Sequence, residues 1–328
     1  MRLGQTLLLP TSYFMQPVEA AARIDGARLH VHVPMGMEAS LPFALEDDEY
    51  LLTARDFRFD GFAVFGRFEV VDADVVGTAL SIVLPEEAAR LDHDMIRTWL
   101  SGATETVGKL TGTFPVPRAQ VIVVAVPSAS SVVPFGMAFR AGGASVLLFT
   151  SSSATEEALA GDWVAVHELT HLTLPFIQEA DAWFSEGYAT YYQEVLRAIA
   201  GTSDASSVRH AIADAFERAR NAGTGRTLAD ETRDRHTTRA YERIYWGGAA
   251  IMMLADIRYH EHGCGSLREA VRRASFSSDD LARVFSAQEV IARLDGACGT
   301  NALRELADAW LMRSDFPDVD PMHAAAMH

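Results

Sequence analysis

The sequence is poor in cysteine and in basic residues, and it has no long apolar run. Its only cysteines, Cys264 and Cys298, are too few for a disulfide framework, and we expect two buried thiols, with a bridge between them as the alternative. Lys and Arg number 28 against 44 Asp and Glu, a formal net charge of −16, which disfavours a nucleic-acid partner because phosphate binding requires a basic face. No segment approaches the roughly 20 apolar residues of a transmembrane helix, so no membrane span is expected.

The N-terminus also lacks a complete export signal. The leucine run of MRLGQTLLLPTSYF stops at Pro10, too early for the apolar core of a signal peptide. As numbered, the chain is therefore expected in the cytoplasm, and a secreted or periplasmic location would require a leader before Met1. Hydrophobic residues, at 49%, are sufficient for the core of a globular protein, whereas no feature specifies an oligomeric state.

Secondary-structure signals divide the chain into three predicted parts. Residues 1–86 contain short β-branched and aromatic segments separated by Gly, Asp and Pro turns, which predict an N-terminal β domain. Residues 87–200 predict a helix, three strands and further helical segments, so this part is an α+β lobe. Residues 201–328 consist mostly of helical periodicities bounded by Gly or Ser, which predict a helical C-terminal lobe. The predicted fold class is α+β.

The segment TEEALAGDWVAVHELTHLTLP is predicted to form a helix or a pair of helices. Ser153 and Glu156 have the spacing of a capping box at its start, and Pro175 ends it. His167 and His171 are four residues apart, so both imidazoles project from one face of the helix about one turn apart. Two ligands of a single tetrahedral zinc ion require this spacing.

A catalytic carboxylate and a third ligand would complete such a site. Glu168 lies about 100° round the helix from His167, where it can reach a metal-bound water without ligating the metal. HExxH alone would occur by chance in roughly one chain in a hundred of this length, so the presence of a third ligand decides whether the motif is a metal site. Leu174 and Ile177 stand where the metzincin pattern requires Gly and His, which excludes that class. Instead, WFSEGYATYYQEVLRAIAG predicts a second helix with Glu186 near its start, and this carboxylate completes the His₂Glu ligand set of zinc hydrolases.

HELTH followed by WFSEGYATYY resembles the thermolysin-like gluzincin metallopeptidases, in particular the aminopeptidase N and glycyl aminopeptidase branches, where a W-F-x-E-G segment supplies the third zinc ligand. The resemblance covers roughly residues 115–315 and implies a thermolysin-like catalytic lobe that holds one Zn²⁺ ion. It implies His167, His171 and Glu186 as the zinc ligands and Glu168 as the general base that activates a zinc-bound water. The gap between HELTH and the glutamate is shorter than in those branches, which indicates a shortened loop between the two helices.

The stretch YERIYWGGAAIMMLADIRYHEHGCGSLREAVRRA is similar to a second segment of the same family, in which Tyr-x-x-Gly precedes a buried helix. The similarity implies that Tyr245 donates a hydrogen bond to the oxyanion of the tetrahedral intermediate, where a phenol stabilises developing charge. Tyr241, four residues earlier, is the alternative for this role. In the absence of a functional role, Tyr245 would be an aromatic side chain packed in its helix.

A third segment departs from the family pattern. In the family, a strand before the zinc helix carries a glutamate that binds the free amino group of the substrate, and Ala138 of the segment GMAFR stands at that position. A buried ammonium without a carboxylate partner is costly, so both amino- and endopeptidase specificity stay open. The strand can still pair with an extended peptide, and Arg140 is a candidate partner for a substrate carboxylate.

Two further groups of polar residues have alternative interpretations. His260, His262 and Cys264 carry metal-ligand side chains, but the adjacent glycines favour a helix C-terminus, where imidazoles interact with the helix dipole. Gln193 and Glu194, about two turns along the second helix, could orient a ligand imidazole or lie on exposed helix surface.

The predicted function is zinc-dependent hydrolysis of peptide bonds, with aminopeptidase-like specificity and a peptide as the substrate. Endopeptidase or carboxypeptidase-like specificity on the same catalytic residues is one alternative. A non-catalytic peptide-binding module on the same scaffold is the other, and Ala138 and the shortened inter-helix loop favour it. A protein that only binds peptides has no chemical need for the complete set of predicted site residues, His167, Glu168, His171, Glu186 and Tyr245.

Overall fold

The computed structural model describes residues 1–15, 26–53, 56–57, 60–127, 130–139, 143–277, 280 and 283–323. Close contacts between residues divide the chain into two compact units. The first unit comprises residues 1–108 and 113–173, and the second comprises residues 109–112 and 174–328. The three-part division at residues 86 and 200 stays a prediction.

The first unit contains the strands of three β-sheets. Within the described residues they are β1 (Arg2–Leu3), β2 (Thr6–Pro10), β3 (Ala27–Leu29), β4 (Glu38–Ser40), β5 (Ala44–Glu46), β6 (Glu49–Leu52), β7 (Phe62–Gly66), β8 (Phe68–Val75), β9 (Thr78–Pro85), β10 (Arg118–Val126), β11 (Phe135–Phe139) and β12 (Ser145–Ser151). A four-stranded sheet has the order β1-β2-β7-β4, and a three-stranded sheet has the order β3-β6-β5. Both are antiparallel, as short strands joined by turns allow. The α+β class with an N-terminal sheet region is confirmed.

The third sheet has five strands in the order β11-β12-β10-β9-β8. Its central strand, β10, runs parallel to β9 and β12, while β8 and β11 are antiparallel edge strands among the described residues. The run Ala119–Val124 of β10 is buried throughout, because a parallel central strand is covered on both faces. Strands β8 and β9 precede residue 86 but pair with this sheet, and a strand pattern in sequence does not specify its partner.

Three α-helices precede residue 174 in the part of the chain that the structure describes, namely α1 (His93–Thr111), α2 (Glu156–Ala160) and α3 (Val164–Thr170). Helix α1 links the parallel strands β9 and β10, which require a crossover connection. Helices α2 and α3 are the expected helix pair, separated at Gly161. The predicted capping box is wrong: Thr155 caps α2 by accepting from the Ala158 N–H, and the Ser153 hydroxyl lies 3.0 Å from that of Ser151 instead.

The second unit is mostly helical, as predicted for the C-terminal part. Its described elements are β13 (Phe176–Ile177), α4 (Ala182–Ala200), α5 (Ala205–Asn221), α6 (Leu228–Arg233), α7 (Arg235–Thr238), α8 (Tyr241–Glu261), α9 (Leu267–Ala274), β14 (Val284–Phe285), α10 (Ala287–Cys298) and α11 (Ala302–Trp310). Helices α4 and α8 share the most extensive contact of any two described elements. No helix within the described ranges is long and apolar enough to cross a bilayer.

Two buried aspartates connect the helices of this unit. Asp256 accepts hydrogen bonds from the Tyr191 hydroxyl of α4 and from the Leu267 N–H of α9, both at 2.6 Å. Asp295 accepts from the Tyr259 hydroxyl at 2.8 Å and from a backbone N–H at the start of α11. Each carboxylate therefore caps the first turn of one helix and binds a tyrosine of another.

The prediction that the two cysteines are free thiols is wrong. Cys264 and Cys298 form a disulfide with their Cα atoms 5.3 Å apart, joining the segment after α8 to the last residue of α10. Their separation of 34 residues carries no spacing signal, because the pairing depends on how two helix ends pack. The same region is a helix C-terminus as predicted, with the His260 Nδ1 atom 3.1 Å from the Gly265 carbonyl oxygen.

Candidate metal centre

Helix α3 carries the HELTH motif and begins at a carboxylate cap. Asp162 accepts hydrogen bonds from the backbone N–H groups of Val164 at 3.0 Å and Ala165 at 2.9 Å. These bonds satisfy N–H groups that the first turn of a helix leaves without partners. All seven residues of α3 are buried, which fixes the helix within the first unit. Sequence reasoning missed Asp162, although an acidic residue just before a helix was the available signal.

The two histidines project from the same side of this segment. His171 follows α3 in helical backbone geometry, so the four-residue spacing still places it one turn from His167. The two imidazole rings have centroids 4.9 Å apart at an interplanar angle of 80°. Their Nε2 atoms are 3.3 Å apart. Trp163 packs edge-on against His167, with ring centroids 6.0 Å apart, and restrains that ring.

Glu186 joins the two histidines to form a potential metal-binding group. One ligand atom from each of His167, His171 and Glu186 lies within 4.8 Å of the others. A search of the described residues for three or more His, Cys, Asp or Glu side chains that could hold one metal ion finds this group. The three residues that the sequence predicted as metal ligands are therefore brought together.

The donor set fits zinc. Zinc binds nitrogen and carboxylate oxygen at about 2.0–2.2 Å in tetrahedral geometry, which places two imidazole nitrogens about 3.3–3.4 Å apart. The observed separation of 3.3 Å between the Nε2 atoms matches this spacing. His167 is buried, whereas His171 and Glu186 are partly exposed. Three protein ligands leave one tetrahedral position for water or substrate, as in hydrolytic zinc sites.

Glu168 lies against strand β11 of the five-stranded sheet. Gly136 of β11 faces it so closely that a Cβ atom at position 136 would lie 2.5 Å from the Glu168 Cγ atom and 2.8 Å from its Oε1 atom. Glu168 is only 8% exposed, so its carboxylate is held between the strand and the zinc-motif helix. Ala138, two residues along β11, is on the same face as Gly136 because side chains alternate along a strand. Arg140 lies outside the described residues.

Tyr245 is in the first turns of α8 and is half-buried. Its ring centroid lies 6.3 Å from that of Tyr241. The Tyr241 hydroxyl lies 3.3 Å from Nδ1 of His236, and 37% of the residue is exposed. Tyr241 therefore contacts His236 at the surface, and the role of Tyr245 as oxyanion donor stays a prediction.

The two polar residues further along α4 are buried. Gln193 donates from Nε2 to Glu194 Oε1 at 3.2 Å, and Arg197 donates from Nη1 to Glu194 Oε2 at 3.4 Å. Both Gln193 and Glu194 are less than one-tenth exposed, so the exposed-surface alternative is wrong. Their role in orienting a ligand stays a prediction.

This fold, a mixed sheet beside a HELTH helix with a glutamate on the next long helix, has counterparts among solved structures. The aminopeptidase N family protein from Idiomarina loihiensis is similar at a TM-score of 0.66 and 16% sequence identity, over 90% of this chain and 57% of that chain. The M1 zinc metallopeptidase from Deinococcus radiodurans is similar at a TM-score of 0.56 and 17% sequence identity, over 88% of this chain and 64% of that chain. A mutant of the latter bound to a Tyr-Ser-Ala substrate is similar at a TM-score of 0.56 and 16% identity.

These likenesses define the fold of the chain. No family model and no curated protein matches the sequence. The chain nevertheless has the fold of the M1 zinc metallopeptidases, which confirms the resemblance expected from HELTH and WFSEG at the level of fold. The chain spans 57% and 64% of the length of these two proteins.

Proposed function

We propose that this chain is a zinc metallopeptidase that hydrolyses peptide bonds. The observation that carries the proposal is the group formed by His167, His171 and Glu186, with the Glu168 carboxylate on the same short helix as His167. A His₂Glu ligand set with a neighbouring carboxylate that does not ligate the metal is the arrangement of hydrolytic zinc sites. The fold shared with the M1 zinc metallopeptidases supports the same conclusion.

Each site residue has a distinct chemical task. When bound, zinc supplies a Lewis acid that polarises the scissile carbonyl group and lowers the pKa of water. Glu168 accepts the proton of the attacking water and then delivers it to the nitrogen of the departing amine. Tyr245 donates a hydrogen bond from its hydroxyl to the oxygen of the tetrahedral intermediate, which stabilises charge that develops only in the transition state.

The proposed substrate is a peptide, and the proposed specificity is aminopeptidase-like. A mutant of the Deinococcus radiodurans protein of the same fold was solved with a Tyr-Ser-Ala substrate. Ala138 favours endopeptidase specificity as the alternative, because the β11 face that carries Gly136 and borders Glu168 presents a methyl group at that position. The same alanine favours the second candidate function, a scaffold that binds a peptide without hydrolysing it.

Peptide mapping separates these possibilities. The zinc-loaded protein and its Glu168→Gln variant are incubated with a library of free and N-acetylated peptides, and products are identified by mass spectrometry. Stepwise loss of residues from free N-termini supports an aminopeptidase, whereas internal or acetyl-tolerant cleavage supports an endopeptidase. A wild-type protein that yields no Glu168-dependent product, yet binds library peptides, would establish the binding module instead.

A further inference from the structure

Helices α4 and α8 of the second unit each carry a glycine where they meet, Gly187 and Gly248. Glycine within a helix is unfavourable relative to alanine, because it has more conformational freedom to lose. A glycine in the interior of each of two adjoining helices therefore requires a reason in packing.

The two helices approach each other to direct backbone contact. A Cβ atom at position 187 would lie 2.5 Å from both Cα and C of Gly248. A Cβ atom at position 248 would lie 2.8 Å from Cα of Gly187 and would overlap the carbonyl oxygen of Trp183. All of these obstructing atoms belong to the backbone, so a side-chain rotation cannot make room. A methyl group at either position must move a helix.

The contact lies beside two of the predicted site residues. Glu186, a member of the potential metal-binding group, immediately precedes Gly187 on α4. Tyr245 lies three residues before Gly248 on α8, and residues three apart lie on the same face of a helix. Tyr245 is therefore on the side of α8 that meets α4, about one turn from the contact.

We propose that Gly187 and Gly248 are positioning residues that set the distance between the Glu186 carboxylate and the Tyr245 hydroxyl. The inference rests on the proposed function for the roles of these two side chains. The proposed reaction needs Glu186 on the metal and Tyr245 at the oxygen of the same intermediate. The rate of the reaction therefore depends on the distance between α4 and α8. A displacement of about 1 Å in such a geometry can lower turnover by roughly 100-fold.

The adjacent glycine, Gly247, provides a contrast within the same helix. A Cβ atom at position 247 would overlap Nη1 of Arg243 and lie 3.5 Å from Cδ1 of Leu228. The three atoms nearest to it belong to these two residues, and none of the three belongs to α4. The obstruction is the far end of a flexible side chain on α8 itself. Alanine at position 247 is therefore expected to lower stability without moving α4 away from α8.

The test compares Gly187→Ala and Gly248→Ala with two controls, Gly247→Ala and Gly296→Ala. The Cβ atom added by Gly296→Ala, in α10 of the same unit, meets nothing within 4 Å. Zinc affinity is measured by competition with a chelator, kcat and KM on a cleaved peptide, and folding by circular dichroism. We expect Gly187→Ala and Gly248→Ala to weaken zinc binding, lower kcat, or both, by roughly 10–100-fold with KM little changed. Gly296→Ala should match wild type, and Gly247→Ala should retain wild-type zinc affinity despite a lower melting temperature.

A double-mutant cycle with Tyr245→Phe tests the coupling itself. If Gly248→Ala acts by displacing Tyr245, it should lower kcat strongly in the wild-type background and only slightly in Tyr245→Phe. Folded glycine variants with wild-type zinc affinity and wild-type kcat would overturn the inference, as would full additivity in the cycle together with unchanged zinc affinity. Loss of folding in both variants would assign the contact a purely structural role and overturn it too. Absence of zinc binding by the wild-type protein would instead refute the proposed function.

Discussion

Gly136 on β11 and Glu168 on α3 are in direct contact, and there is no space for even a methyl group between them. A Cβ atom on Gly136 would also lie 2.8 Å from Cγ1 of Val164, one turn before Glu168. The edge strand thus lies close against the helix that carries the proposed general base. Because Glu168 is almost fully buried, this contact restricts the positions that its carboxylate can adopt.

Gly136→Ala is therefore expected to displace the Glu168 carboxylate and to lower kcat by up to about 100-fold, while zinc affinity stays near the wild-type value. The two histidines are expected to keep their geometry, because they project together from a different side of this segment than Glu168 does. Peptide hydrolysis under saturating substrate and chelator competition measure the two quantities. Gly102→Ala, in an open position of α1, is the matched control and should behave as wild type. Equal kcat for Gly136→Ala and Gly102→Ala would show that the contact does not position Glu168.

Glu168→Gln tests the general base directly. The amide keeps the size of the side chain but cannot accept and return a proton, so turnover should fall by about 10²–10⁴-fold. Zinc content should not change, because Glu168 is outside the proposed ligand set. The exposed Glu157 on the preceding helix supplies the control variant Glu157→Gln. Wild-type kcat in Glu168→Gln would refute the mechanism.

Glu186→Ala tests the third ligand. Removing one of three ligands should weaken zinc binding by more than the roughly 10–100-fold that loss of a supporting residue costs. Competition with a chelator measures the affinity, and Glu217→Ala, an exposed carboxylate on α5, controls for the change in net charge. If both variants bind zinc with wild-type affinity, Glu186 is not a ligand.

The disulfide between Cys264 and Cys298 predicts a stability effect confined to oxidised protein. Cross-linking residues 34 apart restricts the unfolded chain and stabilises the fold by about 3–4 kcal/mol in the loop-entropy model. Cys264→Ser with Cys298→Ser should lower the free energy of unfolding by up to this amount, as should a reductant with the wild type. Thiol titration of the denatured, unreduced protein should find no free thiol, and two free thiols would contradict the bond. Such bonds persist in oxidising compartments, in contrast to the cytoplasmic location predicted from the N-terminus.

The site could be predicted from sequence where local spacing determines geometry. The i, i+4 separation of His167 and His171 and the glutamate at the start of the next long helix required only helical periodicity and one motif. The α+β class and the helical C-terminal part followed from the same periodicities. These features depend on residues close together in the chain, which is why a single sequence carries them.

The remaining features depend on residues far apart in the chain. The disulfide, the pairing of β8 and β9 with β10, and the contact between Gly187 and Gly248 are all determined by tertiary packing. Each has only an ambiguous local signal, such as a helical glycine that could equally mark a helix end. The capping box was assigned to the wrong residue because Ser153 and Thr155 both suit an N-cap.

The buried tyrosines of the second unit predict how stability changes at high pH. Burial, and then the charge of Asp256, raise the pKa of Tyr191 well above its usual value near 10, and burial with the charge of Asp295 raises that of Tyr259. These groups stay neutral in the folded protein and ionise in the unfolded chain. Their contribution is therefore complete below about pH 10 and is lost as pH rises further, by up to about 1.4 kcal/mol per tyrosine per pH unit.

The sequence makes this effect measurable, because Lys109 is its only lysine and tyrosines dominate titration near pH 10. Urea unfolding between pH 8 and 11 gives the free energy of unfolding for wild type, Tyr191→Phe and Tyr13→Phe, whose side chain is exposed. Tyr191→Phe removes the hydroxyl that donates to the buried Asp256 carboxylate, while the Leu267 N–H still donates to it, and should cost about 1.5–3 kcal/mol at pH 8. Its stability should nevertheless fall less steeply above pH 10, so the difference from wild type narrows, while Tyr13→Phe parallels wild type throughout. A constant difference between Tyr191→Phe and wild type across this range would mean that Tyr191 ionises equally in the folded and unfolded states.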